Sequence, residues 1–304
     1  MPSFNRIACR SGMIDLSVLD FGIPQGMSAE TCQSVLLLHG MRDHALGMLS
    51  IIRDLSERYR VVSFDLRGHG KSENNGVYPM IQFVADARAV VQQFGLDKPI
   101  VIGHSLGGHI ASRYAAAYSD DVDKLVLLDG MGPPGGMTTS DVESNRLRML
   151  MSLDICAAAG RPSRSMVDLD EAISRLRRNN PKLQPDMLEI IANEGVEPHP
   201  KGGLQWNFDP AVQMIWSTFS TLDTEQLCGL IACPTLIVTG ENSLDYWGQM
   251  NDSYLGQQAF YESELRRRLS LFPNAQGAVI PDAGHMLHYD QPEAVNQVLR
   301  KFLG

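Results

Sequence analysis

Cysteine is scarce in this chain of 304 residues and poorly placed for cross-linking. Cys9, Cys32, Cys156, Cys228 and Cys233 are odd in number and scattered, and no C-x-x-C occurs. That pattern excludes a disulfide framework and a zinc ribbon, and it fits a reducing compartment. Long apolar runs are also missing. Without 18 consecutive apolar residues there is no transmembrane helix to expect, and the opening MPSFNRIACRSGMIDL lacks the continuous apolar stretch of a signal peptide. The expectation is a cytoplasmic protein. Positive charge is in deficit: 26 Lys and Arg face 35 Asp and Glu, a net charge of −9. Such a balance excludes the basic stripe that nucleic-acid binding needs. Metal-ligand spacing is absent too, because His285 and His288 stand three apart and not in H-E-x-x-H. The stretch Arg67-Gly68-His69-Gly70-Lys71-Ser72 ends as a phosphate loop does, but Asp65 occupies the position of that loop's first glycine. No cofactor and no metal are expected, and no repeat or low-complexity segment occurs.

What the chain does contain is a rhythm. Short, mostly β-branched apolar runs recur: VLLLHG (35–40), RVVSFD (60–65), PIVIGHS (99–105), KLVLLDG (124–130), PTLIVTG (234–240) and GAVIPD (277–282). Runs of this length suit strands buried on both faces of a parallel sheet. Segments of helical period lie between or after them, at 45–59, 83–96, 111–118, 264–272 and 292–303. The alternation implies an α/β fold with right-handed crossovers. GMIDLSVLDFG, which alternates apolar and polar residues, is read as an antiparallel edge strand. Residues 131–230 break the rhythm: they hold no buried-strand run, begin with GPPGG, and show helical segments at 169–178 and 186–192. A structureless loop of that length is improbable. The expectation is a core of residues 1–130 and 231–304 with a helical cap inserted at 131–230.

One motif carries chemistry. Gly103-His104-Ser105-Leu106-Gly107 is G-x-S-x-G at the junction of an expected strand and an expected helix. A sharp strand-to-helix turn strains its central residue, and glycines let strand and helix approach closely. The serine hydroxyl is lifted clear of the sheet, beside the free N–H groups of a helix start. A hydroxyl needs a base to attack. Of eight histidines, His285 in Asp282-Ala283-Gly284-His285 follows the last expected strand, which places it on the same carboxyl edge as Ser105. His288 reads as structural. The N–H groups of Met41, after VLLLHG, and of Leu106 are the candidate oxyanion donors; His39 reads as a brace for that loop, and Asp43 and His44 as structural.

The motifs LLLHGMRDHA, FDLRGHGKS, IGHSLGGHIA, KLVLLDGMGPP and IPDAGHMLHYDQPE occur in this order along nearly the whole chain outside the insertion. In them the chain resembles the α/β-hydrolase-fold serine hydrolases of the capped esterase/lipase-like kind. The resemblance implies the nucleophile Ser105, the base His285 and oxyanion donors at Met41 and Leu106. It also exposes a departure. Most members carry the triad acid after the strand PTLIVTG, where this chain has Gly240-Glu241-Asn242-Ser243. A serine cannot stabilise an imidazolium by charge. Asp129 is the favoured acid: it ends KLVLLDG, some members carry theirs there, and a strand end holds its residue rigidly. Asp245 is the alternative and Glu241 a remote third.

A cap would roof the site and line its pocket. Met131, Met137, Met149, Met151, Met166, Met187 and Met214 fit an adaptable apolar pocket, although most are expected in the cap's own small core; Trp206 and Trp216 share that ambiguity. Arg175, Arg177 and Arg178 read as a solvated helix face, with capture of a substrate carboxylate as the alternative. The expected activity is hydrolysis of a small-molecule carboxylic ester with an apolar, small to medium acyl group, by a protein that neither binds nucleic acid nor inserts stably into a membrane. Ser105 speaks against a dehalogenase or epoxide hydrolase, which use Asp as nucleophile. A carbon–carbon bond hydrolase, a lactonase, an amidase or aminopeptidase, and a non-catalytic small-molecule receptor stay open.

Overall fold

The computed structural model describes residues 1–132, 142–158, 164–219, 221–248 and 258–304. Among these residues the strands are β1 (Asn5–Ser11), β2 (Ile14–Asp20), β3 (Ser34–Leu38), β4 (Arg60–Phe64), β5 (Ile100–His104), β6 (Lys124–Leu128), β7 (Val196–Pro198), β8 (Leu204–Trp206), β9 (Thr235–Gly240) and β10 (Ala275–Ile280). The helices are α1 (Leu49–Leu55), α2 (Met80–Gln93), α3 (Leu106–Ala117), α4 (Val142–Ala158), α5 (Leu169–Asn179), α6 (Pro185–Glu194), α7 (Thr221–Cys228), α8 (Ser243–Gly248), α9 (Gln258–Leu269), α10 (Leu287–Asp290) and α11 (Pro292–Leu303). Eight strands form one sheet in the order β1-β2-β4-β3-β5-β6-β9-β10. It is parallel from β4 to β10, and antiparallel where β2 meets β1 and β4.

The apolar runs become central strands because both of their faces find cover. Side chains alternate across a strand. Leu36, Leu38, Val101, Leu125 and Leu127 therefore pack on one face with Phe83, Ala87 and Val90 of α2 and Leu106, Ile110 and Tyr114 of α3. Val35, Leu37, Ile100, Ile102, Val126, Leu128 and Val238 pack on the other with Ile51 and Ile52 of α1 and Val295, Leu299 and Leu303 of α11. At the margins the structure differs from the sequence reading. GMIDLSVLDFG is antiparallel, as β2, but β1 covers it and forms the edge. GAVIPD belongs to β10, the opposite edge, where Val279 is 42% exposed and not buried on both faces.

Between β6 and β9, neighbours in the sheet, the chain makes a long excursion through α4, α5, α6, α7 and a 3-10 turn at Pro210–Thr218. It is not wholly helical, for β7 and β8 form a short hairpin that pairs Val196 with Trp206. Asp168 caps α5 by accepting the Glu171 N–H at 3.0 Å. Met187, Leu188 and Ile191 of α6 pack on Leu49 and Tyr289 of the sheet's surroundings. Met166 is buried and Met149 exposed, while Met137 and the side chain of Met151 lie outside the described residues. Arg175 pairs with Glu171, whereas Arg177 and Arg178 are exposed. Among the described residues no helix is long and apolar enough to cross a membrane, and no cluster of His, Cys, Asp and Glu is arranged to hold a metal ion.

Candidate active site

The carboxyl ends of β5 and β6 lie side by side, with His104 in register with Leu128. The next residue on each strand is Ser105 and Asp129, and both have positive φ, 50° and 43°. Side chains are rarely found there, and each is fixed by its own N–H: Ser105 donates to the Leu128 carbonyl at 3.1 Å and Asp129 to the Val238 carbonyl at 2.8 Å. Ser105 is also the N-cap of α3. The surrounding glycines are steric requirements. A Cβ on Gly103 would stand 2.2 Å from the Gly107 carbonyl oxygen, and one on Gly107 would stand 2.1 Å from that of Leu38.

His285 arrives from the far side. It follows β10, yet Ser105 follows β5, three strands further in. The loop from Pro281 to Met286 must therefore cross the end of β9, and Gly240 makes room: a Cβ there would lie 2.4 Å from the carbonyl oxygens of both Ala283 and Gly284. The loop is pinned by Asn242 N–H on the Ala283 carbonyl at 2.8 Å, and by Gly284 N–H on Asp290 Oδ2 at 2.7 Å. The result is a linear array. His285 Nδ1–H donates to Asp129 Oδ2 at 2.5 Å, and its Nε2 lies 3.0 Å from Ser105 Oγ. Asp129 and His285 are buried, and Ser105 is half-buried.

The other candidate acids stand elsewhere. Asp245 is exposed in the first turn of α8. Glu241 accepts the Asp282 N–H at 2.9 Å and so braces the histidine loop. Ser243, in the place where an acid was looked for, is fully buried and accepts the Gly240 N–H at 3.1 Å.

The candidate oxyanion donors, Leu106 and Met41, follow the ends of β5 and β3. Leu106 is the first residue of α3, where a helix leaves its N–H without a carbonyl partner. Met41 follows Gly40, and a Cβ on Gly40 would come within 2.8 Å of His104 Nδ1, so this loop rests on the turn that carries Ser105. His39 braces it: Nε2 accepts the Leu66 N–H at 2.9 Å, which leaves Nδ1–H to donate to the Gly40 carbonyl at 2.8 Å. His44 Nε2–H donates to the Ile191 carbonyl of α6 at 3.0 Å, tying the excursion to the core. Burial raises the Asp43 carboxyl above its ordinary value.

Behind His285 lies a stack of imidazoles. The His104 ring is 5.1 Å from that of His285 and 4.6 Å from that of His288, and His104 Nε2–H donates to the His285 carbonyl at 3.0 Å. Burial, then the neighbouring His285, pushes His104 down to about 3. His288, fully buried, is likewise held well below its ordinary value by burial. Both are therefore neutral scaffolds near pH 7.

One pair escaped the sequence reading. Tyr246 of α8 lies flat on the His285 imidazole, with centroids 4.1 Å apart and planes 9° apart, and Trp247 meets it edge-on at 5.5 Å. The two aromatics stand three and four residues after Ser243, and nothing in their local sequence ties them to His285.

A model of the alpha/beta hydrolase fold family matches residues 33–292. The chain is 26% identical over 272 residues to the esterase YbfF of Escherichia coli K12, covering 88% of this chain and 92% of that one. It is also 26% identical over 286 residues to a 2-hydroxy-6-oxononadienedioate/2-hydroxy-6-oxononatrienedioate hydrolase of Klebsiella pneumoniae, covering 89% and 87%. Among solved structures, the thioesterase domain from the curacin biosynthetic pathway superposes with a TM-score of 0.79 at 22% identity, covering 98% of this chain and 99% of that one.

Proposed function

The chain belongs to the α/β-hydrolase fold family, and from that premise we propose that it is a serine hydrolase cleaving small-molecule carboxylic esters through an acyl-enzyme. The observation that carries this reading is the array Asp129–His285–Ser105, with its 2.5 Å and 3.0 Å contacts, beside the helix-start N–H of Leu106. In the first step Ser105 Oγ attacks the ester carbonyl carbon and its proton passes to His285 Nε2. Asp129 holds the opposite Nδ1–H and offsets the imidazolium charge. The carbonyl oxygen, now an anion, takes N–H donors from Met41 and Leu106. Collapse expels the alcohol, which leaves with the proton from Nε2. Water then repeats the sequence, deprotonated by His285, and frees the acid.

Residues 131–230 serve in this reading as the cap over the site, and the preferred acyl group is apolar and of small to medium size. The relative named an esterase supports ester cleavage. The 2-hydroxy-6-oxo dienedioate hydrolase, equally similar, favours a second reading in which the same triad cleaves a carbon–carbon bond. The test is labelling with a fluorophosphonate, followed by turnover of nitrophenyl esters of graded acyl length. Ser105 is expected to take the label, and Ser105→Ala to lose roughly a million-fold in turnover. A Ser105→Ala variant that keeps its ester activity overturns the proposal. Turnover of a 2-hydroxy-6-oxo dienoate with no ester cleavage selects the second reading.

A further inference from the structure

Among the described residues, the loop after β9 brings no carboxylate to His285, and what it brings instead has a geometry of its own. Asp129 Oδ2 meets Nδ1 and Ser105 Oγ meets Nε2, but a histidine's χ2 is a broad, soft torsion, and contacts at the ring's edge leave its faces to be held by other neighbours. Any tilt swings Nε2 away from Ser105 Oγ, 3.0 Å distant. Tyr246 covers the imidazole with its own ring at 4.1 Å and only 9° from parallel. Trp247 meets Tyr246 nearly at right angles at 4.9 Å, so the covering ring is itself supported. The other rings beside the histidine are not parallel to it: His104, which is neutral, is tilted by 45° at 5.1 Å, and Trp247 by 70° at 5.5 Å. The helix that presents Tyr246 is anchored from beneath by Ser243, the buried residue that accepts the Gly240 N–H. A flat π-face is also attractive to a cation, and the imidazole becomes one at the moment Ser105 attacks.

We propose that Tyr246 is a positioning residue for the hydrolysis: stacked on His285, it holds the ring in the plane that joins Asp129 to Ser105 and stabilises the imidazolium through its π-face. This inference rests on the serine-hydrolase reading for its kinetic consequence, though not for its geometric one. The ring does the work and the phenol does not. Tyr246→Leu keeps an apolar cover while removing the face, and Tyr246→Phe keeps the face while removing the hydroxyl.

Two measurements test it. The first is kcat/KM for a nitrophenyl ester, together with the rate of fluorophosphonate labelling at Ser105. Tyr246→Leu is expected to lose on the order of ten-fold in both, mostly in kcat, as fits the loss of one desolvated cation–π contact. Tyr246→Phe is expected to restore most of the rate. Phenylalanines with one, two and five ring fluorines at position 246 drain the face without changing its shape, and the rate is expected to fall stepwise along them. If Tyr246→Leu does not fold, this series decides. A flat series, or Tyr246→Leu within two-fold of the parent, overturns the proposal. The second measurement needs no activity: the downfield Nδ1–H proton resonance of His285, identified by its loss in His285→Gln. It is expected to be sharp in the parent and in Tyr246→Phe, and broadened in Tyr246→Leu. An unchanged resonance in Tyr246→Leu overturns the proposal whether or not esters are cleaved, whereas an unlabelled Ser105 in the parent counts against the hydrolase reading alone.

Discussion

Acid should unfold this protein early, because it buries histidines as neutral rings. Five of its eight histidines lie below the ordinary value of 6.5, each chiefly through burial: His69 at about 4, His104 and His109 at about 3, and His39 and His288 well below. In the unfolded chain all five titrate near 6.5. Below that pH the unfolded state binds more protons than the folded one, so stability falls as pH drops from 6.5 towards the folded values. Above 6.5 both states are neutral and the effect vanishes. At pH 5.5 each histidine costs about 1.4 kcal/mol, so the five together cost about 7 kcal/mol. Whole domains are stable by only about 5–15 kcal/mol.

Urea unfolding followed by circular dichroism at pH 7.5, 6.5 and 5.5 reads this directly. Stability is expected to drop by about 2 kcal/mol by pH 6.5 and by about 7 kcal/mol by pH 5.5. His288→Phe should flatten the slope by about one proton. A loss below about 2 kcal/mol between pH 7.5 and 5.5 refutes the reasoning, since the rings would then be charged or solvated in the folded state. The arrangement has a functional side. His104 lies 5.1 Å from His285, and a second charge there would oppose the imidazolium of the proposed mechanism.

The choice of acid is tested by Asp129→Asn, expected to lose about four orders of magnitude in kcat, against Asp245→Asn, expected to stay within two-fold of the parent because its side chain is exposed on α8; comparable losses in both would refute the assignment. Gly107→Ala is expected to destabilise the fold by about 3 kcal/mol or more, because its new methyl would meet the Leu38 carbonyl oxygen, a backbone atom, at 2.1 Å. In a thermal melt that is a fall of roughly 5 °C or more, and an unchanged melting temperature would mean that strand and helix are not so closely apposed.

The central strands were legible because parallel strands are buried on both faces and so read as unbroken apolar runs. Legibility faded at the sheet's margins. β1, NRIACRS, is a half-exposed edge strand with charged residues and no apolar run to announce it. The hairpin of β7 and β8 is three residues a side, with half-buried and exposed positions, too short for any period to show. In the site, Ser105 and His285 were readable because each follows a strand, and parallel strands deliver their following residues to one edge. Tyr246 was not readable as a partner of His285. Its ring reaches the imidazole only because the β10 loop folds back over β9, a crossing that Gly240 permits and that no local pattern encodes.

That crossing also accounts for the missing acid after β9. Where a histidine loop returns over the end of β9, its Nδ1 lies between two strand ends, and a carboxylate from either can reach it. Here β6 supplies the carboxylate, 2.5 Å from Nδ1, at a residue whose positive φ is held by an N–H bond to β9 itself. A second carboxylate from the β9 loop would bring two like charges to one small site, which costs free energy unless one is protonated. A small hydroxyl at 243 avoids that conflict and ties its loop to Gly240. Among its described residues the same loop instead lays an aromatic face on the histidine. With the Asp129 carboxylate at His285 Nδ1, a serine at 243 is compatible with a complete triad. Asp129 on one edge of the imidazole and Tyr246 on its face restrain different motions of one ring, so removing both should cost less than the product of the separate losses, as groups acting through one residue do.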